Sequence, residues 1–259
     1  APVLDWFPAG YRVSVIGIAV FALGGIGDGI WHTVFGVEVG IDALLSPTHL
    51  VLFTGGLLLL WTPVRAAAAR GDTSPWLAIG AVALTTSFLV FFIEYMFTIS
   101  QTWIVGIDFD PRTQFGWEYV TLYLASVVVQ IGVLLGPLLL IARRWHLPFG
   151  TATLTWTIAA TLEYAAFDGE TTGIVAVLVG GLVFDATRIV VRHPRRLSVA
   201  AFVGPAAVIA THLALAAADV GMGWPPEIWG GAVIMAGFTG IGLATVQESG
   251  RATPVTASI

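Results

Sequence analysis

Residues 116–142 read GWEYVTLYLASVVVQIGVLLGPLLLIA, an apolar run of 27 positions in which Glu118 is the one charged side chain. An α-helix of this length rises about 40 Å at 1.5 Å per residue, which exceeds the roughly 30 Å hydrocarbon core of a bilayer. A soluble domain rarely contains so long an uncharged helix. The run therefore predicts a membrane-spanning helix.

The composition extends this prediction to the whole chain. Of its 259 residues, 57% are hydrophobic and 10% are charged, and the mean hydropathy is +0.88. These values are typical of a polytopic membrane protein in contact with a lipid bilayer. The chain has no Cys, which excludes disulfides, thiolate metal sites, iron–sulfur clusters and cysteine nucleophiles within it. Its formal net charge of −5 argues against a nucleic-acid partner.

Further apolar runs follow one another along the chain, separated by Gly, Pro and charged residues. The predicted fold is all-α: a single transmembrane domain over residues 1–259, a bundle of about eight helices. The predicted helices span residues 12–35, 43–65, 75–101, 116–142, 148–166, 171–192, 197–219 and 225–247. Paired glycines indicate close helix packing at Gly24-Gly25, Gly55-Gly56 and Gly180-Gly181.

The predicted loops are of two kinds, which differ in their content of arginine and of acidic residues. The basic kind contains Arg65, Arg70, Arg143, Arg144, Arg188, Arg192, Arg195, Arg196 and Arg251. The alternate loops carry the acids Glu38, Asp42, Asp108, Asp110, Asp168, Glu170 and Glu227, with Arg112 as the exception. By the positive-inside rule, both termini are expected in the cytoplasm and the acidic loops outside.

A polar corner joins the first two predicted helices. Asp28 and His32 are four residues apart, so they share one face near the outer end of the first helix. Ser46 is a good N-cap and Pro47 a good first helical residue, so they are expected to begin the second helix and to place His49 in its first turn. Because the first helix runs outward and the second inward, the three ionisable side chains are expected at similar depth.

Three ionisable groups that converge inside a membrane favour a functional site, because each one alone costs free energy in lipid. Two imidazoles and one carboxylate suit Cu(II), Zn(II) or Fe(II), whereas Mg²⁺ and Ca²⁺ prefer oxygen ligands. The residues alone leave two alternatives open. The histidines could be hydrogen-bonded core residues beside an ordinary helix start, or Asp28 and His32 could form a buried ion pair.

The corner also resembles the C subunit of the copper membrane monooxygenases, the particulate methane and ammonia monooxygenases. That subunit has an Asp-x-x-x-His motif with Trp directly before the His, and a Thr-Pro-Ser-His stretch that opens the next helix. Asp28, Trp31 and His32 match the first part, and Ser46-Pro47-Thr48-His49 matches the second. The resemblance covers residues 28–53, about a tenth of the chain. It implies that Asp28, His32 and His49 bind copper.

The match has two departures. His32 and His49 are 17 residues apart, and the gap in the family is about four residues shorter, a difference that a loop tolerates. The family's further set, Asn-x-x-x-His with an additional His, has no counterpart, since the other histidines are His146, His193 and His212. The resemblance therefore indicates a distant relative that has the first copper site of the family and lacks the second.

Further ionisable residues are predicted in the outer halves of later helices, namely Glu94, Glu163, His212 and Asp219. Glu94 and His212 are candidates for an extra metal ligand or for a residue that orients a ligand histidine. The alternative is that each residue caps a helix or bonds a neighbour. Asp185 lies three residues before Arg188, which predicts an ion pair on the inner side.

The resemblance implies an integral membrane copper protein that oxidises a small apolar substrate with O₂, with other membrane subunits or a homo-oligomer as expected partners. The alternative is a membrane protein that stores, delivers or transports copper or zinc without oxygenase activity. A third interpretation is that the metal only fastens the first helix to the second. Whether the chain is an enzyme stays open at this point. The expected location is the plasma membrane of a bacterium or archaeon, with the metal site toward the outside.

Overall fold

The computed structural model describes residues 3–110, 113–167 and 169–249 of the chain. Within these ranges the regular structure is helical and contains no strand. The α-helices are α1 (Arg12–Phe35), α2 (Ile41–Leu45), α3 (Pro47–Leu60), α4 (Thr62–Arg70), α5 (Trp76–Phe92), α6 (Gln114–Ala142), α7 (Thr151–Phe167), α8 (Thr171–Val190), α9 (Arg196–Asp219) and α10 (Pro226–Ser249). The loop residues Arg112, Asp168 and Arg251 lie outside the described part of the chain.

Six helical segments among the described residues are long and apolar enough to cross a membrane. They are Ala9–Phe35, Pro47–Arg70, Gly116–Ala142, Thr171–Val190, Arg196–Asp219 and Pro226–Ser249. The apolar helix α5 is shorter, with 17 residues, and so is α7, also with 17. The protein is therefore an all-helical integral membrane protein whose outer surface contacts lipid.

The predicted helix 43–65 corresponds to the spanning segment Pro47–Arg70, with different bounds. The structure divides this segment at Trp61 into α3 and α4, and the short α2 precedes it. Ser46 adopts an extended conformation, with φ −59° and ψ 145°, and Pro47 follows it at the first position of α3. A second proline, at position 63, stands in the first turn of α4, where its missing N–H is tolerated. Gly71, with φ 75° in the left-handed region, ends α4.

The predicted helix 75–101 is too long, because α5 ends at Phe92. Short 3₁₀ turns follow over Glu94–Met96, Thr98–Ser100 and Trp103–Gly106. We call residues 94–106 the 3₁₀ segment. Its side chains Thr98, Ile99 and Ser100 are buried, so the chain turns back into the bundle where the apolar pattern predicted a further helical turn. Glu94 consequently lies beyond the helix on which it was predicted.

The helices pack as neighbours in a chain of contacts. α1 packs along α3, α5 contacts both α6 and α7, α8 lies between α7 and α9, and α10 contacts both α9 and α6. The buried core centres on large side chains of α6, α7, α8 and the 3₁₀ segment, among them Tyr123, Trp156, Phe184 and Phe97. The α1–α3 pair is attached to this core mainly where α3 and α4 meet α5. This pair therefore forms one edge of the bundle.

Small residues allow neighbouring helices to approach closely, as the paired glycines in the sequence indicate. A Cβ built on Gly55 would lie 2.6 Å from the backbone nitrogen of Phe21, and one on Gly180 would lie 2.2 Å from Cγ2 of Val208. Gly24, Gly56 and Gly181 are similarly tight against neighbouring helices. Gly25 differs, since a Cβ at that position would meet no atom within 4 Å. The packing interpretation holds for these residues except Gly25, which faces outward.

The bundle has two chemically different ends. At one end α6 meets the end of α4, where a guanidinium nitrogen of Arg144 donates a hydrogen bond of 2.7 Å to the carbonyl of Ala68. We call this the basic end, because Arg143, Arg144 and Arg196 lie exposed there. At the opposite end α1 finishes and α3 begins, and this corner holds the side chains of Asp28 and His49.

Candidate metal centre

Asp28, His32 and His49 come together at the corner between α1 and α3. Each residue offers one potential ligand atom, and these three atoms all lie within 4.8 Å of one another. Oδ2 of Asp28 lies 3.2 Å from Nε2 of His32, and Oδ1 of Asp28 lies 3.5 Å from Nδ1 of His49. The carboxylate thus lies between two imidazole rings whose centroids are 5.8 Å apart. Among the described residues this is the one such group of three that the structure contains.

Local structure places all three side chains as the sequence predicts. Asp28 and His32 are one helical turn apart on the last turns of α1, which ends at Phe35. Ser46 caps α3, because its hydroxyl accepts a hydrogen bond of 3.3 Å from the backbone N–H of His49. His49 therefore lies in the first turn of α3, opposite the end of α1.

Polar neighbours hold each of the three side chains. The hydroxyl of Thr48 donates a hydrogen bond of 2.8 Å to Oδ1 of Asp28. Oγ of Ser46 lies 2.6 Å from Nδ1 of His49. The carboxylate of Glu38 approaches His32, with Oε2 3.1 Å from Nδ1. The corner is therefore a connected polar network, as a buried polar group requires.

Glu38 and the end of α1 determine the orientation of His32. Nδ1 of His32 faces only acceptors, namely the Gly36 carbonyl at 3.1 Å and the Glu38 carboxylate at 3.1 Å. Nε2 likewise faces an acceptor, Oδ2 of Asp28 at 3.2 Å. Both ring nitrogens thus face acceptors, as in the ion pair of Asp28 and His32 that the sequence left open. The indole N–H of Trp31 also donates to Glu38, which holds the carboxylate in place. The hydrogen-bond partner of Nδ1 is the Gly36 carbonyl, and a backbone carbonyl is a common partner of the second nitrogen of a ligand histidine at metal sites.

Two ligands that each bind a tetrahedral metal at about 2.1 Å lie about 3.4 Å apart. The two Asp28–imidazole separations, 3.2 and 3.5 Å, are close to this value but involve different carboxylate oxygens. Because the three ligand atoms lie within 4.8 Å of one another, the side chains would have to draw together to hold one ion. The side chains are also half-buried, with 26% of His32 and 19% of Asp28 exposed. An ion could therefore reach the group from the corner end without unfolding of the helices.

Glu94 and Glu163 lie apart from this group. Glu94 lies in the 3₁₀ segment and forms no hydrogen bond or ion pair with Asp28, His32 or His49 in the described part of the chain. Glu163 of α7 is buried and accepts a hydrogen bond of 2.8 Å from the hydroxyl of Ser100. The structure thus does not bring Glu94 into direct contact with the candidate metal ligands.

Asp219 and His212 of α9 are also remote from the corner. Asp219 accepts a hydrogen bond of 2.9 Å from the hydroxyl of Thr102. His212 is fully buried, and its ring stacks on Tyr123 of α6 with centroids 5.9 Å apart. Glu163 and Asp219 therefore hold the 3₁₀ segment in place, which is the role of bonding a neighbour that the sequence left open for them.

Sequence reasoning missed Glu38 and Thr48 as parts of this network. The sequence pattern places Glu38 only in an acidic loop and Thr48 only at the helix start. The sequence feature that indicates the position of Glu38 is Gly36. This glycine, with φ 87°, ends α1 and lets the chain turn back over His32. The signal for Thr48 is its place between the N-cap and His49, where a hydroxyl can reach the facing helix.

Comparisons with protein-family models, with curated proteins and with solved structures found no match to this chain. The class of protein therefore follows from its fold and site alone. It is a membrane protein of apolar helices with an Asp/His/His group at one end of the bundle.

Proposed function

We propose that this protein binds one copper ion through Asp28, His32 and His49, and that it acts as a distant relative of the C subunit of copper membrane monooxygenases. The observation that carries the proposal is the convergence of one carboxylate and two imidazoles within 4.8 Å. The resemblance of residues 28–53 to that subunit supplies the choice of copper and the kind of chemistry.

Ligand chemistry also favours copper. A site with two imidazole nitrogens and one carboxylate oxygen binds divalent copper more tightly than the other first-row metals, including zinc. One orienting contact supports a metal role as well, because Nδ1 of His32 hydrogen-bonds the carbonyl of Gly36 and Nε2 points toward Asp28, 3.2 Å from Oδ2. A bound ion would replace this contact of Nε2. Thr48 occupies one oxygen of Asp28, and the other faces His32.

Copper in such a site would supply O₂ activation or electron transfer. The chain itself would hold the ion with three side chains, fix the imidazole of His32 through Glu38, and keep the site at the edge of the bundle. An open cavity of about 300 Å³ lies between α3, α5 and α7, lined by Leu60, Phe88 and Glu163 among others. Leu60 ends α3, about 16 Å along the helix from His49, so this cavity does not adjoin the metal group and does not enter the proposal.

Metal analysis of the purified protein tests the copper assignment. We expect close to one copper per chain in the wild type and a large loss of copper in His32→Ala and in His49→Ala. His193→Ala is the matched control, because His193 is an exposed histidine beside the start of α9. This variant should bind as much copper as the wild type. Zinc in place of copper, or no bound metal, would overturn the assignment.

Storage, delivery or transport of the metal is the second candidate function. The ligand side chains at the corner are 19–27% exposed, which favours exchange of the ion with the surroundings. Transport across the membrane usually needs successive polar sites, and the described residues contain one Asp/His/His group. Metal flux into liposomes that contain the protein would favour transport, whereas O₂ consumption that depends on copper and on an apolar substrate would favour the oxygenase.

A further inference from the structure

A cavity of about 350 Å³ opens at the basic end of the bundle. Residues from the ends of four helices line it, with Arg143 and Arg144 after α6, Arg188 from α8, Arg196 from α9 and Glu248 from α10. A neighbouring cavity of about 270 Å³ shares Arg188 and Arg196 and adds Asp185, Phe149 and Ile189. The two cavities adjoin, since His146, Arg188 and Arg196 line both, and we call them together the opening. Four guanidinium groups and two carboxylates surround it, which leaves it positively charged.

One of the two carboxylates, that of Asp185, already has hydrogen-bond and ion-pair partners. Asp185 of α8 is buried against the start of α7. Its carboxylate accepts hydrogen bonds from Thr153, of 3.0 Å from the backbone N–H and of 2.9 Å from the hydroxyl. It also lies 3.5 Å from Arg188. Asp185 therefore neutralises the start of α7 and part of one arginine, and it contributes little negative charge to the opening.

The arginines differ in how they are held. Arg188 is fixed, because it is 17% exposed and donates a hydrogen bond of 2.9 Å to the Leu147 carbonyl. Arg143 and Arg196 are exposed, and the structure gives their guanidinium groups no hydrogen bond or ion pair with any residue in its described ranges. Two guanidinium groups thus line the opening beside two that are held, since Arg188 bonds the Leu147 carbonyl and Arg144 bonds the Ala68 carbonyl.

Guanidinium groups bind phosphate oxygens in pairs of hydrogen bonds, and basic pockets between the ends of membrane helices bind lipid headgroups. Exposed apolar side chains also adjoin the opening, since Phe149 is 57% and Ile189 is 61% exposed. A free phosphate ion would make no use of these two side chains, whereas an acyl chain would cover them. We propose that this opening binds the phosphate headgroup of an anionic phospholipid whose acyl chains lie against Phe149 and Ile189.

Binding of phosphatidylglycerol to the delipidated full chain in detergent tests the proposal. Phosphatidylcholine and inorganic phosphate are the comparison ligands, and native mass spectrometry or the unfolding temperature reports binding. We expect phosphatidylglycerol to bind much more tightly than either comparison ligand. The double variant Arg143→Gln with Arg196→Gln should bind it about twenty-five-fold more weakly, at roughly fivefold for each arginine beside an anionic headgroup.

The matched control is Arg192→Gln with Arg195→Gln, which removes two exposed arginines of the same loop that do not line the opening. It should bind like the wild type, and all three proteins should unfold at similar temperatures without lipid. Equal binding of phosphatidylcholine, or equal weakening in both double variants, would overturn the site. Inorganic phosphate that binds as tightly as the lipid would overturn the assignment to a lipid.

Discussion

At the scale of single residues, Glu38 matters to the metal site although it need not touch the ion. Its carboxylate lies 3.1 Å from Nδ1 of His32 and also accepts from the indole of Trp31. Removal of such an orienting partner typically lowers metal affinity ten- to a hundredfold. We therefore expect Glu38→Ala to bind copper about ten- to a hundredfold more weakly than the wild type, measured by competition with a chelator.

Asp42→Ala is the control for this prediction, because Asp42 is an exposed acid of the same connection. It should leave copper affinity within about twofold of the wild-type value, since it removes a similar charge without an orienting contact. Equal copper affinity in Glu38→Ala and Asp42→Ala would mean that Glu38 does not orient the ligand.

The three ligand residues could be predicted because their placement depends on short-range rules. Asp28 and His32 share a helix face at a spacing of four, and the Ser46-Pro47 start places His49 in a first turn. The contact of Glu38 with His32 could not be predicted in the same way, because it depends on the direction of the chain after Gly36. Glu94 and His212 could not be assigned either, since their distance from the corner depends on how distant helices pack.

At the scale of helices, the crossing of α1 and α3 determines whether the ligands meet. A Cβ on Gly55 would lie 2.6 Å from the backbone nitrogen of Phe21, so Gly55→Ala must move one helix away from the other. Overpacking of this kind costs about 1–3 kcal/mol. We expect Gly55→Ala to lower both the unfolding temperature and the copper affinity, because Asp28 and His32 move away from His49.

Gly25→Ala is the control on α1, where an added Cβ meets no atom within 4 Å. It should leave copper affinity unchanged and shift the free energy of unfolding by less than about 1 kcal/mol. The packing account fails if Gly55→Ala retains wild-type copper affinity and stability.

The contact of α8 with α7 depends on the buried carboxylate of Asp185. Asp185 bonds Thr153 at the start of α7 and lies 3.5 Å from Arg188, with its own side chain fully buried. Loss of one partner from a buried pair leaves an unpaired charge and costs about 3–5 kcal/mol. We expect Asp185→Ala to lower the unfolding temperature markedly in a thermal unfolding experiment.

Asp72→Ala provides the matched comparison, because Asp72 forms an exposed ion pair of 2.7 Å with Arg70. Exposed pairs contribute about 0–1 kcal/mol, so this variant should unfold almost like the wild type. If Asp185→Ala also unfolds almost like the wild type, the buried carboxylate contributes no more than the exposed one and the prediction is wrong.

The existence of the helices could be predicted well, and their interruptions could not. Apolar runs of spanning length indicated α1, with the bounds that the structure gives, and also indicated α6 and α8–α10. The end of α5 at Phe92 follows from tertiary contacts, because Ser100 and Thr102 are bonded by Glu163 and Asp219 far along the chain. A local hydropathy pattern contains no information about such partners.

At the scale of the whole molecule, the orientation in the membrane is a prediction that cysteine labelling can test. The chain has no Cys, so a single introduced thiol reports one position without interference. By the positive-inside rule, Asp42→Cys should react with a membrane-impermeant maleimide in intact cells. Arg195→Cys, at the basic end, should react only after the membrane is permeabilised.

Both positions are exposed in the folded chain, so a failure to react reports the membrane side and not burial. The reverse pattern would place the Asp/His/His corner on the cytoplasmic side. It would then exclude delivery of the metal from outside the cell.

Paramagnetic resonance of the copper-loaded protein tests the central claim most directly, because it counts the nitrogen ligands of the bound ion. With one copper per chain, the wild type and the control His193→Ala should show coupling to two imidazole nitrogens. His49→Ala, supplied with one equivalent of copper, should show at most one. A spectrum without nitrogen coupling, or two-nitrogen coupling that persists in both His32→Ala and His49→Ala, would contradict the copper site at this corner.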